Sequence, residues 1–173
     1  DLALEKLSYK TIYGDGYITD SLCGVDFKIS PRSFYQVNKD CAKLLYEKAI
    51  ELLDAKEGQR IADLFCGTGT MGIIISKSTN AYVYGVEIEK EAVKDAKKNA
   101  KINGVSNIEF FNDDASKFDK PIDSCIIDPP RKGCSKLMIE TLLNLKPQKI
   151  VYVSCNPDTM CKDIKALSEA YTI

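Results

Sequence analysis

The chain has 173 residues, a formal net charge of −1, 45% hydrophobic and 28% charged residues. That balance fits one soluble domain with a sizeable core and argues against a stand-alone nucleic-acid binder, which needs a basic surface. Histidine is absent and the seven cysteines form no C-x-x-C pair, which excludes His-based triads, Cys–His pairs and zinc sites and fits a reducing cytoplasm rather than a disulfide framework.

No apolar run approaches the roughly 20 residues of a membrane span, so no membrane partner is expected. Residues 1–37 read as an N-terminal β segment. The runs "SYKTIYGDGYITD" and "GVDFKIS" carry β-like patterns, and Gly14-Asp15-Gly16 between two tyrosines predicts a hairpin tip. Asn38 is a candidate N-cap for a helix over about 39–55, with Cys41, Leu44, Leu45, Ala49, Leu52 and Leu53 on its apolar face.

A strand–helix alternation then runs to the end. "RIADLF" predicts a buried strand, a Gly-rich turn and a helix near 70–78. "AYVYGVE" predicts the second strand, and "KEAVKDAKKNAKI" a helix with Ala92, Ala96 and Ala100 inward and a solvated lysine face. Asn103-Gly104 stops it. "IEFFN", "DSCIID" and "KIVYVSC" supply three further strands, with a helix over "SKLMIETLLNL". The last helix, from Asp158 as its cap, turns Met160, Ile164 and Leu167 inward. This alternation predicts an α/β fold with a doubly wound parallel sheet, whose ligands bind beyond the carboxyl ends of the strands. The opening at Asp1 and the stop at "SEAYTI", where another strand would begin, suggest that residues 38–173 form a core lacking its last strands.

Five strand ends, "DLFCGTG", "GVE", "FNDDA", "DPPR" and "SCNP", are polar, turn-forming or reactive. Gly67-Thr68-Gly69-Thr70-Met71-Gly72 satisfies G-x-G-x-x-G between a strand and a helix, and Glu87 closes the next strand, where it can bind a ribose. A dinucleotide would bring its pyrophosphate to that helix N-terminus. Asp63 just before the loop repels pyrophosphate but suits a cation, which favours S-adenosylmethionine over the dehydrogenase alternative. Asp113 or Asp114 can accept from an adenine amino group.

Cys155 ends the last predicted strand, at the ligand edge, and precedes a helix whose positive dipole end favours a thiolate. Read by position alone, it is also a common kind of buried core residue. The other six cysteines read as structural: Cys41 and Cys161 on helix faces, Cys125 within a strand, Cys23 and Cys134 in loops, Cys66 as a small residue beside the glycines. The "DPPR" stretch resembles the acid–Pro–Pro–aromatic motif of amino-methyltransferases, but Arg131 stands where their aromatic would be. Arg131 with Lys132 reads either as an exposed loop charge or as a contact to RNA phosphate or a flipped nucleotide.

Together, "FYQVN", "DLFCGTGTMGI", "GVEIEKEAVKDAKKNA", "IIDPPRKG" and "VSCNPDT" resemble the RNA uracil-C5 methyltransferases, which make 5-methyluridine in 23S ribosomal RNA or in transfer RNA. The resemblance runs from about residue 30 to the end and points to the 23S type first. It implies a truncated Rossmann-like S-adenosylmethionine-dependent methyltransferase core acting on RNA, with no metal. It also implies cofactor contacts from Gln36, Phe65, Gly67, Thr70, Glu87, Asp114 and Asp128. Asp128, Arg131 and Asn156 would meet the substrate, and Cys155 would be the nucleophile. By the same resemblance the general base, a Glu, would lie past Ile173, and an RNA-binding domain, in some members with an iron–sulfur cluster, before Asp1. An exocyclic-amine methyltransferase and a non-catalytic cofactor-binding fragment are the alternatives. With a strand order of 3-2-1-4-5, the last strand would be a bare edge inviting self-association.

Overall fold

A computed structural model describes residues 10–31, 33, 35–36 and 38–173. The start of the predicted N-terminal β segment, together with Phe34 and Val37 of "FYQVN", lies outside the described residues. The strands β1 (Ile18–Leu22) and β2 (Val25–Ile29) pair antiparallel, with Leu22 opposite Val25. The turn is Cys23-Gly24, with φ of 51° and 72°. Two left-handed residues in a two-residue loop match the twist of the strands they join. The hairpin tip therefore is not Gly14–Gly16. Residues 12–17 are bends, and Ile12 and Tyr13 are almost fully exposed, so pairing there would bury no apolar face. Leu22, Val25, Phe27 and Ile29 do bury one.

Helix α1 (Lys39–Leu53) starts where predicted: the Asn38 side chain accepts from the Cys41 N–H at 3.1 Å. Its buried face differs from the predicted one. Ala42, Tyr46, Ala49 and Leu53 face inward, whereas Leu44 and Leu52 are 68% and 52% exposed. The 42–46–49–53 spacing is a narrow 3.6-period stripe, whereas Cys41, Leu44, Leu45, Ala49, Leu52 and Leu53 spread over about half the helix surface.

Five parallel strands follow in the order β5-β4-β3-β6-β7. They are β3 (Arg60–Leu64), β4 (Tyr82–Glu87), β5 (Ile108–Asn112), β6 (Ser124–Ile127) and β7 (Lys149–Tyr152). The intervening helices are α2 (Thr70–Thr79), α3 (Lys90–Ile102), α4 (Lys136–Leu145) and α5 (Pro157–Leu167), with a 3-10 turn at Ala115–Lys117. The doubly wound reading holds. Strand residues alternate between two cores, as a period of two requires. Ile61, Val83 and Ile126 pack with α1, α2, α3 and the hairpin. Ala62, Leu64 and Ile127 pack with α4 and α5. The order reverses between β3 and β6, which places a crevice at their carboxyl ends. In α5, Leu167 is buried and Met160 and Ile164 are half-buried, with buried Asp163 among them.

Candidate active site

The Gly-rich loop is set by backbone geometry. After β3 the chain turns at Phe65, which sits at φ 71°. A left-handed conformation costs a non-glycine residue about 1–3 kcal/mol and clusters at functional sites. Phe65 and Cys66 both donate their N–H groups to the Val86 carbonyl at 3.0 Å, which folds the loop over β4. Gly72, in the first turn of α2, donates its N–H to Asp63 Oδ2 at 2.8 Å. A Cβ there would lie 2.9 Å from that same oxygen, so only glycine lets the helix approach the carboxylate so closely.

Glu87, at the end of β4, is held at both oxygens. Oε2 accepts from the Gly67 N–H at 3.0 Å and Oε1 from the Glu89 N–H at 2.9 Å. Each oxygen keeps a second lone pair for a ligand hydroxyl. Asp114 accepts from the Ser116 N–H and hydroxyl at 2.9 and 2.8 Å, and these bonds hold its carboxyl below the usual range.

Three acids converge on the crevice from β3, β4 and β6. Burial pushes Asp63 up to about 7, with the Gly72 N–H opposing and Asp128 and Glu87 adding to the rise. Burial pushes Asp128 up to about 6. Among the described residues, none of the ion pairs involves Asp63, Glu87 or Asp128. An uncompensated carboxylate cluster in a partly dry crevice attracts a cation and repels a pyrophosphate.

A cleft of about 670 Å³ opens at these strand ends. Gln36, Phe65, Gly67, Glu87, Asp114 and Asp128 line it, and so do Arg131 and Cys155. Thr70 lies one layer deeper, in a recess of about 50 Å³ shared with Gln36, Phe65 and Asp128. Its hydroxyl meets that of Thr68 at 3.1 Å. Asp113 is exposed and does not line the cleft.

Two expectations change at the Cys155 turn. Asp158 is not the cap of α5: Asn156 is, accepting from the Asp158 N–H at 3.2 Å, with Pro157 as the first helical residue. The Asn156 amide, expected to meet the substrate, is therefore engaged with the chain itself, and its Nδ2 donates to the Arg131 carbonyl at 3.2 Å. Cys155 is exposed, three residues past the end of β7, not a buried strand residue. Cys66 and Cys125 are the buried thiols; Cys41 and Cys161 are exposed on their helices. Arg131 and Lys132 are exposed at a turn closed by Gly133, whose N–H donates to the Pro130 carbonyl at 2.8 Å.

Sequence reasoning missed Tyr46, buried on α1 and lining the recess beside Asp63, and Met138 and Ser135, which bring α4 to the cleft. Nothing local distinguishes Tyr46 from an ordinary helix-face aromatic. It also missed Asp163, which accepts from the Cys134 N–H at 2.7 Å and the Tyr152 hydroxyl at 2.6 Å.

A family model described as a methyltransferase domain matches residues 55–172. The chain belongs to this methyltransferase family. Among curated relatives, an uncharacterised RNA methyltransferase of Halalkalibacterium halodurans is 41% identical over 167 residues, covering 92% of this chain and 36% of that protein. Another from Lactobacillus johnsonii is 41% identical over 169 residues, covering 94% and 37%. The chain thus spans little more than a third of the curated relatives it matches. A solved Pyrococcus abyssi tRNA (uracil-54, C5)-methyltransferase, in complex with S-adenosyl-L-homocysteine, has a TM-score of 0.81 and 37% identity, covering 89% of this methyltransferase chain and 38% of that one. A methyltransferase from Agrobacterium tumefaciens, at 20% identity and TM-score 0.70 over 92% of the chain and 60% of its own, shares the fold.

Proposed function

We propose that this chain is the catalytic core of an S-adenosylmethionine-dependent RNA methyltransferase that modifies C5 of a uridine through a covalent Cys155 adduct. The observation that carries this reading is that Cys155 and Asp128 open onto the same cleft as Glu87 and Asp114 at the neighbouring strand ends.

The residues fit the cofactor. The Asp63–Asp128–Glu87 cluster suits its ammonium and sulfonium charges, Glu87 its ribose hydroxyls and Asp114 its adenine amino group. Phe65 and Gln36 frame the cleft beside the Gly67 loop. When bound, S-adenosylmethionine supplies an electrophilic methyl group.

Uracil C5 is a poor nucleophile, and Cys155 is the residue that changes this. Its thiolate forms an Sγ–C6 bond, and the C5–C6 π pair moves into an enolate over C5, C4 and O4. C5 is then nucleophilic. Once C5 is methylated, its proton leaves to a base, and the returning electron pair expels Sγ from C6. This is covalent catalysis without histidine, in a chain that has none. Asp128 faces the cofactor and the target base, and exposed Arg131 meets the phosphate of a nucleotide turned out of its stack.

The sequence motifs favour 23S ribosomal RNA, whereas the Pyrococcus relative is described as acting on transfer RNA. Both RNAs therefore enter the test. The protein is incubated with S-adenosylmethionine and each RNA carrying 5-fluorouridine. Fluorine cannot leave as a proton does, so a covalent protein–RNA complex accumulates. No complex with either RNA, or a complex that survives Cys155→Ala, sinks the mechanism. Methylation of an exocyclic amine that persists in Cys155→Ala would establish the alternative chemistry.

A further inference from the structure

Helix α3 and its C-cap Asn103 present three buried or half-buried polar side chains, four residues apart, to β2 and to Ser30 just after it. Asn103 accepts from the Asp26 N–H at 3.0 Å and donates to the Asp26 carbonyl at 2.7 Å. Asn99 accepts from the Lys28 N–H at 2.8 Å and donates to the Lys28 carbonyl at 3.2 Å. Asp95 Oδ2 accepts from the Ser30 N–H at 3.0 Å, from the Ser30 hydroxyl and from the Ser33 hydroxyl at 2.9 Å. Side chains at 103, 99 and 95 thus serve backbone groups at 26, 28 and 30.

The two periods match. Four helical residues rise about 6.0 Å and two strand residues about 6.6 Å, so three rungs stay in register. Each asparagine satisfies both the N–H and the C=O of one residue, as a neighbouring strand would. The rail closes the outer edge of a two-stranded hairpin, which alone is only marginally stable.

The middle rung does more. Asn99 is fully buried, and its Nδ2 also donates to the Thr68 carbonyl at 3.2 Å. Its one oxygen and both amide protons are therefore used, and one of those bonds reaches the Gly67–Gly69 loop. The third rung anchors Ser30 and Ser33, a few residues before the cleft-lining Gln36. Burial alone would raise the Asp95 carboxyl, but the bonds from Ser30 and Ser33 outweigh it and hold it below the usual range.

We infer that Asp95, Asn99 and Asn103 form a rail that locks the hairpin onto the cofactor loop, and that Asn99 is a positioning residue for cofactor binding. This rests on the cofactor reading above. Ligand on the glycine loop and order in the hairpin stabilise each other through one amide, although Lys28 does not line the cleft.

The test combines hydrogen exchange with calorimetric titration, using S-adenosylhomocysteine as the probe. In the wild type, adding it should slow exchange of the Lys28 amide. Asn99→Asp keeps the shape but sets an acceptor against the Lys28 and Thr68 carbonyls. It should weaken binding at least tenfold and abolish the ligand-dependent slowing at Lys28. Asn103→Ala, which cuts a rung without touching Thr68, should loosen the hairpin but cost less affinity. Equal affinity losses in the two variants would reduce Asn99 to a hairpin anchor and overturn the inference. So would unchanged Lys28 exchange in a wild type that binds the probe, an arm that needs no variant to fold. A wild type that binds no probe would overturn the cofactor reading and this inference together.

Discussion

Asn156 Nδ2 donates to the Arg131 carbonyl across 3.2 Å, tying the turn that carries Cys155 to the loop that carries Asp128. The Thr159 hydroxyl adds a second bond to that carbonyl at 3.3 Å. Asp163 pins the far end of the same loop through the Cys134 N–H. The turn and the loop that bring Cys155 and Asp128 to one cleft are thereby tied together before any ligand arrives, and on the proposed mechanism such pre-set geometry is a large part of catalytic rate.

Asn156→Ala removes this tie and the α5 cap together. Loss of the cap should cost about 1 kcal/mol of stability. The methyl-transfer rate should fall by at least tenfold while affinity for S-adenosylhomocysteine stays within about twofold. Single-turnover kinetics beside a binding titration measure the split. A variant that loses affinity and rate equally would place Asn156 in the cofactor site instead.

Glu87→Ala should weaken cofactor binding tenfold or more, about 1.4 kcal/mol. Two effects add. The carboxylate proposed to hold the ribose goes, and the Gly67 and Glu89 N–H groups lose the oxygens that hold the loop. Isothermal titration reads the change, and an unaltered dissociation constant would refute the ribose assignment.

Among the described residues, strand β7 pairs with β6 alone, which leaves its other side an open edge of the sheet they form. Helix α1 packs beside it and exposes Leu44, Leu45 and Leu52. Open edges and exposed apolar helix faces promote pairing between chains. We expect this chain to form dimers as concentration rises, and Leu44→Lys with Leu52→Lys to shift it toward monomer. Sedimentation equilibrium decides, and a strictly monomeric wild type at high concentration would contradict the expectation.

The core was legible because its signals are local and repeated. The helix and strand periods alternate from residue 39 onward, and each strand ends in a polar turn. These features fix the sheet class and the edge that binds ligand, and they led to Glu87, Asp128 and Cys155 at one cleft. The errors fall where a tertiary partner decides. Cys23-Gly24 outcompetes Gly14-Asp15-Gly16 as the hairpin turn because only the former lets Val25, Phe27 and Ile29 reach the core. Leu44 and Leu52 look like core residues until Tyr46 is seen to take the inward stripe. From sequence Asn156 looks free for substrate, since nothing local shows that Arg131, 25 positions away, claims its amide. The rail on α3 was hidden for the same reason: its partners lie 77, 71 and 65 residues away in sequence.

Asp63 carries a prediction with two opposite signs. It is 2% exposed, and burial lifts its carboxyl from an ordinary 3.8 to about 7. For an acid raised in this way, the contribution to stability is fully present below the unfolded value and is lost as pH rises through about 7. At about pH 8 the folded protein therefore bears the cost of a buried charge. An asparagine at this position would keep an oxygen for the Gly72 N–H without that charge. Asp63→Asn should then be more stable than the wild type at about pH 8, by on the order of a few kcal/mol, with the gap closing toward about pH 4. Binding runs the other way, because an ionised carboxylate attracts the cationic cofactor and a protonated one does not. Wild-type affinity should fall as pH drops through about 7 and 6, where Asp63 and Asp128 take up protons. The Asp63→Asn variant should bind more weakly at about pH 8 and show a shallower pH dependence, with Asp128 as the remaining titrating group. Thermal melts and titrations across that range test both halves. Melting curves that differ by a constant amount at every pH would show that Asp63 is not the group that carries the buried charge.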